Sequence, residues 1–181
     1  MSVPHNDVMA VTNRLAVVAE RPLQERFNAA RAQTERLLEN LSAEDCALPS
    51  RPASSLVKWH LAHTTWFFEA QVLQALIPGD EPFHPQFCRV FDACTARVQR
   101  GVLSRPSLEA VMVYRRHVNG PIAALLDAGA PAAWPMVELG VQHEQRHQEL
   151  LLADLQHLFS CNPLQPVYAP ALCAVEPAPV L

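Results

Sequence analysis

The chain has 181 residues, half of them apolar, with 18% charged and a formal net charge of −4. That length makes one domain the default, and the apolar half can bury a core without disulfides. No Lys/Arg run exceeds two residues, which excludes the electrostatic footprint of a nucleic-acid or anionic-membrane binder, and apolar stretches such as Leu150-Leu151-Leu152-Ala153 fall far short of a membrane span.

Five glycines against sixteen prolines argue against a strand-and-turn protein. The N-terminus lacks a basic region followed by an apolar core, so no signal peptide is read. The cysteines (Cys46, Cys88, Cys94, Cys161 and Cys173) are odd in number and irregularly spaced, as expected for reduced thiols in a cytoplasmic protein.

The first helix is expected from about Val11 to Leu41. Leu15, Val18, Leu23, Phe27, Ala30, Leu37 and Leu41 recur mostly at three- and four-residue steps. Pro22 inside this pattern either kinks the helix or marks its true start, and its place after Arg21 favours the start. Leu48 to Pro52 breaks the chain. The second helix runs from about Ala53 or Ser54 to Leu76, with Ser54 and Ser55 as candidate caps. It is apolar over much of its circumference, so it packs on more than one side.

Residues 79–105 form a long irregular connection, a length that is usually functional inside a compact domain. Ser104 or Ser107 caps a third helix that continues to about Asp127, with a kink expected at Gly120-Pro121. The fourth begins near Trp134-Pro135 and ends near Ser160. From Asn162 onward the chain is proline-rich and loses periodicity. The spacing thus predicts an all-α four-helix bundle over 11–162, a flexible N-terminus over 1–10 and a linker-like tail over 163–181.

The fourth helix carries His143-Glu144-Gln145-Arg146-His147. Histidines four apart share one helix face, and this face continues through Met136, Gly140, Leu151 and Leu158 into the core. Two imidazoles so placed can share a metal ion, and a satisfied core pair would read the same. The five residues also spell the H-E-x-x-H of zinc peptidases, with Glu144 as general base. That reading needs a third ligand downstream. His157 is ten residues on, Glu176 lies in the proline-rich tail, and Glu149 is too close. The second helix offers His60 and His63 instead. His63 shares a face with Leu56, Trp59, Phe67 and Ala70 and should look inward; His60 is nearly a turn back, a supporting or structural group. Three imidazoles leave coordination positions open for substrate and for oxygen or water.

Lys58-Trp59-His60-Leu61-Ala62-His63-Thr64-Thr65-Trp66-Phe67-Phe68-Glu69 and His143-Glu144-Gln145-Arg146-His147-Gln148-Glu149-Leu150-Leu151 together resemble the N-terminal DinB-like domain of ergothioneine-biosynthesis sulfoxide synthases. Arg100 to Pro106, Tyr114 to Val118 and Phe159 to Leu164 are similar to the same family, and the resemblance spans roughly residues 25–168. It implies a non-haem Fe2+ site with His63, His143 and His147 as ligands, Zn2+ or Ni2+ being the alternatives. It also implies oxidative joining of a cysteine-type thiol to the imidazole of trimethylhistidine, as a sulfoxide. Arg97 and Arg100 fall where the family places basic residues near the thiol substrate, although two solvated loop arginines would read the same. No residue is assigned a catalytic role.

Family members continue into a second domain resembling formylglycine-generating enzymes, which supplies a catalytic tyrosine. Tyr168 does not match that tyrosine, and Asp92 to Ala96 lack the family's Gly-x-Arg-His-Pro. The expectation is a chain incomplete alone, partnered by a small thiol and by a separate formylglycine-generating-like chain, with no nucleic acid and no membrane. A self-contained DinB-like thiol transferase or hydrolase, or a bundle that keeps a metal only for stability, are the competing readings.

Overall fold

The structure, a computed structural model, describes residues 22–52, 54–92, 94 and 100–169. Among them every regular element is helical and none is a strand. None of these helices is long and apolar enough to cross a membrane.

Helix α1 spans Leu23–Arg36, with Pro22 at its N-cap position, as a start at that proline requires. The expected residues 11–21 of this helix lie outside the described ones. α1 also ends earlier than Leu41. From Arg36 the chain tightens into successive i→i+3 turns, Leu38 to Glu35, Glu39 to Arg36 and Leu41 to Leu38. These turns let Leu37, Leu38 and Leu41 all pack against the core.

Helix α2 spans Val57–Phe68 and is buried over nearly its whole circumference. It starts later than a Ser54 or Ser55 cap would place it. Leu56 is the N-cap, and the Ser54 hydroxyl is drawn instead to Ser50 and Asp154. Beyond Phe68 the helix widens into a π turn, Glu69–Leu73, before a last α turn, Gln74–Leu76. The π turn holds Glu69, 3% exposed, where its carboxylate accepts the Tyr114 hydroxyl at 2.5 Å and the Phe83 amide at 2.7 Å. Burial, with Glu69 beside it, holds the Tyr114 phenol well above its ordinary range, so it remains a donor.

The irregular connection contains a short helix α3, Phe87–Phe91, and is strapped to α2 by side-chain donors. Trp59 Nε1 reaches the Val90 carbonyl at 3.0 Å, His63 Nδ1 the Phe91 carbonyl at 2.5 Å, and Lys58 Nζ the Ser104 carbonyl at 2.9 Å. Helix α4 spans Leu108–Asp127, capped by the Ser107 hydroxyl, which accepts from the Ala110 amide at 3.2 Å. It runs on through Pro121. Helix α5 spans Trp134–Ser160 with proline in its first turn. α5 packs on α1 and on α2, and α2 also packs on α4. After α5 the Tyr168 hydroxyl donates to the Leu37 carbonyl at 2.9 Å, which ties the chain back to the end of α1.

Two features fix how the helices meet. At the α2–α5 crossing Gly140 faces the Phe68 ring so closely that an added Cβ would lie 2.4 Å from it. The absent side chain lets Phe68, fully buried, stack edge-on against Phe27 at 5.2 Å. Nearby, one buried carboxylate gathers all four long helices. Glu144 of α5, 1% exposed, pairs with Arg31 of α1 at 2.8 Å and with Arg115 of α4 at 3.0 Å. Thr34 donates to it at 2.6 Å, and Arg31 reaches Thr65 of α2 at 3.0 Å and Asn119 of α4 at 2.7 Å. Burial works to raise the Glu144 carboxyl, but the two guanidiniums and the Thr34 hydroxyl outweigh it, and the group falls from 4.5 to about 2. Burial and the neighbouring Arg115 lower Arg31 to about 10, still charged at neutral pH.

Glu144→Gln should therefore destabilise the fold by about 3–5 kcal/mol, because it leaves buried guanidinium charge uncompensated. Glu144 titrates lower folded than unfolded. Its contribution is present above 4.5 and is lost as pH falls toward 2, so wild type should show a steeper acid loss of urea midpoint than the variant. Gly140→Ala should also lower the urea midpoint. Overpacking of about 1–3 kcal/mol exceeds the roughly 1 kcal/mol gained in helix propensity. Phe68→Leu in the same chain should restore part of the loss.

Candidate metal centre

His63 projects from the middle of α2, while His143 and His147 lie one turn apart on α5. The crossing of these helices brings the three rings together, with centroids 4.9 Å apart for His63–His143, 4.8 Å for His63–His147 and 4.6 Å for His143–His147. One nitrogen from each lies within 4.8 Å of the others, the only such trio among the described residues. The rings sit against aromatics. Trp59 stacks on His63 at 4.5 Å and 10°, and Phe67 leans on His143 at 4.9 Å.

Hydrogen bonds decide which nitrogens face the centre. A carbonyl can only accept, so His63 donates from Nδ1 to Phe91 and, when neutral, presents a bare Nε2. That Nε2 lies 3.2 Å from His143 Nε2. Bonds of about 2.1 Å to a shared ion place donor nitrogens at roughly this separation. His147 Nδ1 is 2.8 Å from His60 Nδ1, which leaves its Nε2 for the centre. His143 Nδ1 is buried with no partner.

Burial holds all three imidazoles neutral at physiological pH. It pulls His63 to about 4 despite the opposing Phe91 bond, and it pulls His147 to about 2 with help from the neighbouring histidines and Arg100. Burial lowers His143 as well. Three neutral, converging imidazoles are the donor set of a divalent transition-metal site. They do not by themselves select iron over zinc or nickel.

A cavity of about 360 Å³ opens beside His147, lined by Arg51, Ser54, Ser55, Trp59, His60, Arg100, His147, Leu150 and Asp154. Arg100 is on its wall, with its guanidinium 4.2 Å above the Trp59 ring. Arg97, the other arginine expected near a substrate, lies outside the described residues. Arg51 reads in the sequence only as part of a chain break, and Asp154 carries no motif. The available signal for Asp154 is its place seven residues after His147, two turns along the same face.

Glu144, the general base of a peptidase reading, is turned into the ion cluster and held by Arg31, Arg115 and Thr34. It offers no oxygen to the three histidines. Cys46 is buried and its thiol pushed up to about 12 by that burial, which makes it unreactive. Cys88, Cys94 and Cys161 are exposed and form no disulfide.

Purified protein should carry one divalent ion per chain. His63→Ala, His143→Ala and His147→Ala should each strip it, as read by elemental analysis, while His60→Ala should reduce content less. Loss with His60→Ala but retention with His63→Ala would exchange the roles of the two α2 histidines.

No curated protein matches the sequence. The DinB superfamily model matches residues 26–151, from within α1 to well into α5, and so takes in all three histidines. Domains of this superfamily bind divalent metals, as a helical bundle with a three-histidine centre suggests. The chain belongs to the DinB superfamily.

Proposed function

We propose that this DinB domain is of the sulfoxide-synthase type, holding Fe2+ at His63, His143 and His147 and binding a cysteine-type thiol for oxidative joining to the imidazole of trimethylhistidine. The observation that carries the reading is the juxtaposition of three neutral imidazoles with an arginine-lined cavity. Bound iron would supply one-electron chemistry with O₂ and open coordination positions. The chain's own residues do the rest. His63, held by the Phe91 carbonyl, and His147, held by His60, would hold the ion from fixed orientations. Arg100 and Arg51 would take the substrate carboxylate, with planar guanidinium forks suited to that shape. Trp59 and Phe67 cover the rings and limit water.

In this reading the domain acts in the cytoplasm together with a formylglycine-generating-like unit, which aims the thiol at the imidazole carbon. Such aiming is demanding, since misplacement by about 1 Å costs on the order of a hundredfold in rate. A second reading, a zinc- or nickel-dependent thiol transferase or hydrolase, draws on the same cavity, because imidazole donors also suit those metals.

The test is anaerobic loading with iron(II), followed by cysteine or γ-glutamylcysteine and the EPR spectrum of the nitric oxide adduct. The thiol should change the spectrum, and Arg100→Ala should raise the half-saturating thiol on the order of tenfold. With trimethylhistidine and air, this chain alone should give no coupled product by mass. Absence of any thiol response overturns the reading, and turnover of thiols only with zinc or nickel favours the second.

A further inference from the structure

His60 is almost fully buried at 5% exposure, yet it is not one of the three converging histidines. Its Nδ1 lies 2.8 Å from His147 Nδ1, and its Nε2 is buried without a hydrogen-bond partner. Oδ2 of Asp154 lies 3.8 Å from that Nε2. The other carboxylate oxygen of Asp154 accepts from Ser50 at 2.9 Å and from Ser54 at 3.0 Å, with Arg51 3.8 Å away. The serines thus hold the carboxylate with its second oxygen left for His60.

Two imidazoles that meet through Nδ1 must differ in tautomer, because one donates and the other accepts. The negative charge beside His60 Nε2 favours the proton there. His60 Nδ1 is then the acceptor and His147 Nδ1 the donor. That choice leaves the His147 lone pair on Nε2, facing His63 and His143. We infer that Asp154 and His60 are positioning residues, a carboxylate–imidazole relay that fixes the tautomer of His147 and so presents its Nε2 to the metal. The relay rests on the metal-site reading for its purpose, but the tautomer it sets belongs to the metal-free protein.

The relay accounts for three observations at once. It gives the buried His60 side chain a polar role. It gives Asp154, a carboxylate on the bundle side of α5, a partner beyond the two serines. It also explains why Ser54 is not spent capping α2. Without the relay, His147 is free to carry its proton on Nε2, and metal binding must first move it. Loss of such a supporting partner typically costs roughly 10–100-fold in metal affinity.

Two measurements test it. The first is ¹⁵N–¹H long-range correlation of the metal-free protein, which reads the His147 tautomer directly. Wild type should show the Nδ1–H form. Asp154→Asn and His60→Phe should shift it toward Nε2–H or a mixture, and Asp154→Glu should restore Nδ1–H. The second is Zn(II) affinity by competition with a chromophoric chelator, which should weaken roughly 10–100-fold in the first two variants. Far-ultraviolet circular dichroism and urea midpoints confirm that each variant is folded. An Nε2–H tautomer in wild type overturns the relay, as does a tautomer unchanged in both variants. Zn(II) affinity left at the wild-type value by folded Asp154→Asn and His60→Phe overturns it too. If wild type binds no metal but its tautomer responds as stated, the relay stands and the metal-site reading falls.

Discussion

One buried carboxylate sets the geometry of this bundle. Glu144 takes Arg31 and Thr34 from α1 and Arg115 from α4, and Arg31 passes the connection on to Thr65 of α2. Apolar packing tolerates small rotations of a helix, but a buried ion cluster does not, because each misplaced partner leaves a desolvated charge unpaired. The cluster therefore fixes the rotation of α5 about its axis. His143 precedes Glu144 and His147 follows it by three. Once Glu144 is pinned toward α1 and α4, the two histidines must face α2. The histidine face is set by the ion-pair face.

The second determinant is the strap. The connection after α2 has little periodicity, yet Trp59, His63 and Lys58 each donate to one of its carbonyls. The strap gives three of these carbonyls a donor, and in return it orients His63 and Trp59. The same segment brings Arg100 over Trp59, which stacks on His63. A stretch without regular structure thereby becomes one wall of the cavity, as long connections in compact domains often do.

The sequence carries much of this and omits the rest for identifiable reasons. Helix faces are legible because burial repeats every three or four residues, and His63, His143 and His147 stand on such faces. The ion cluster is not, because Arg31, Arg115 and Glu144 lie far apart in the chain, the two arginines read as ordinary surface charges, and Glu144 reads only as part of H-E-x-x-H. Nor is the π turn at Glu69–Leu73, since nothing in local propensity marks it. Its cause is tertiary, the pull of Tyr114 and Phe83 on Glu69. Ser54 shows the same override: a sound cap by type, it serves Asp154 instead.

The H-E-x-x-H segment shows why a motif needs its surroundings. Each step along a helix turns the side chain by about 100°, so Glu144 cannot share the histidines' face. In a peptidase the glutamate reaches the same open cleft as the metal. Here that direction is filled by α1 and α4, and the cluster holds the carboxylate ionised and fully engaged. The three histidines also differ from one another in how they are held. A carbonyl orients His63 and a second imidazole orients His147, whereas His143 Nδ1 has no partner and its ring rests on Phe67. Packing is less directional than a hydrogen bond. The candidate centre thus combines two imidazoles fixed by polar contacts with one fixed by shape, and His143 is the ring held least directionally.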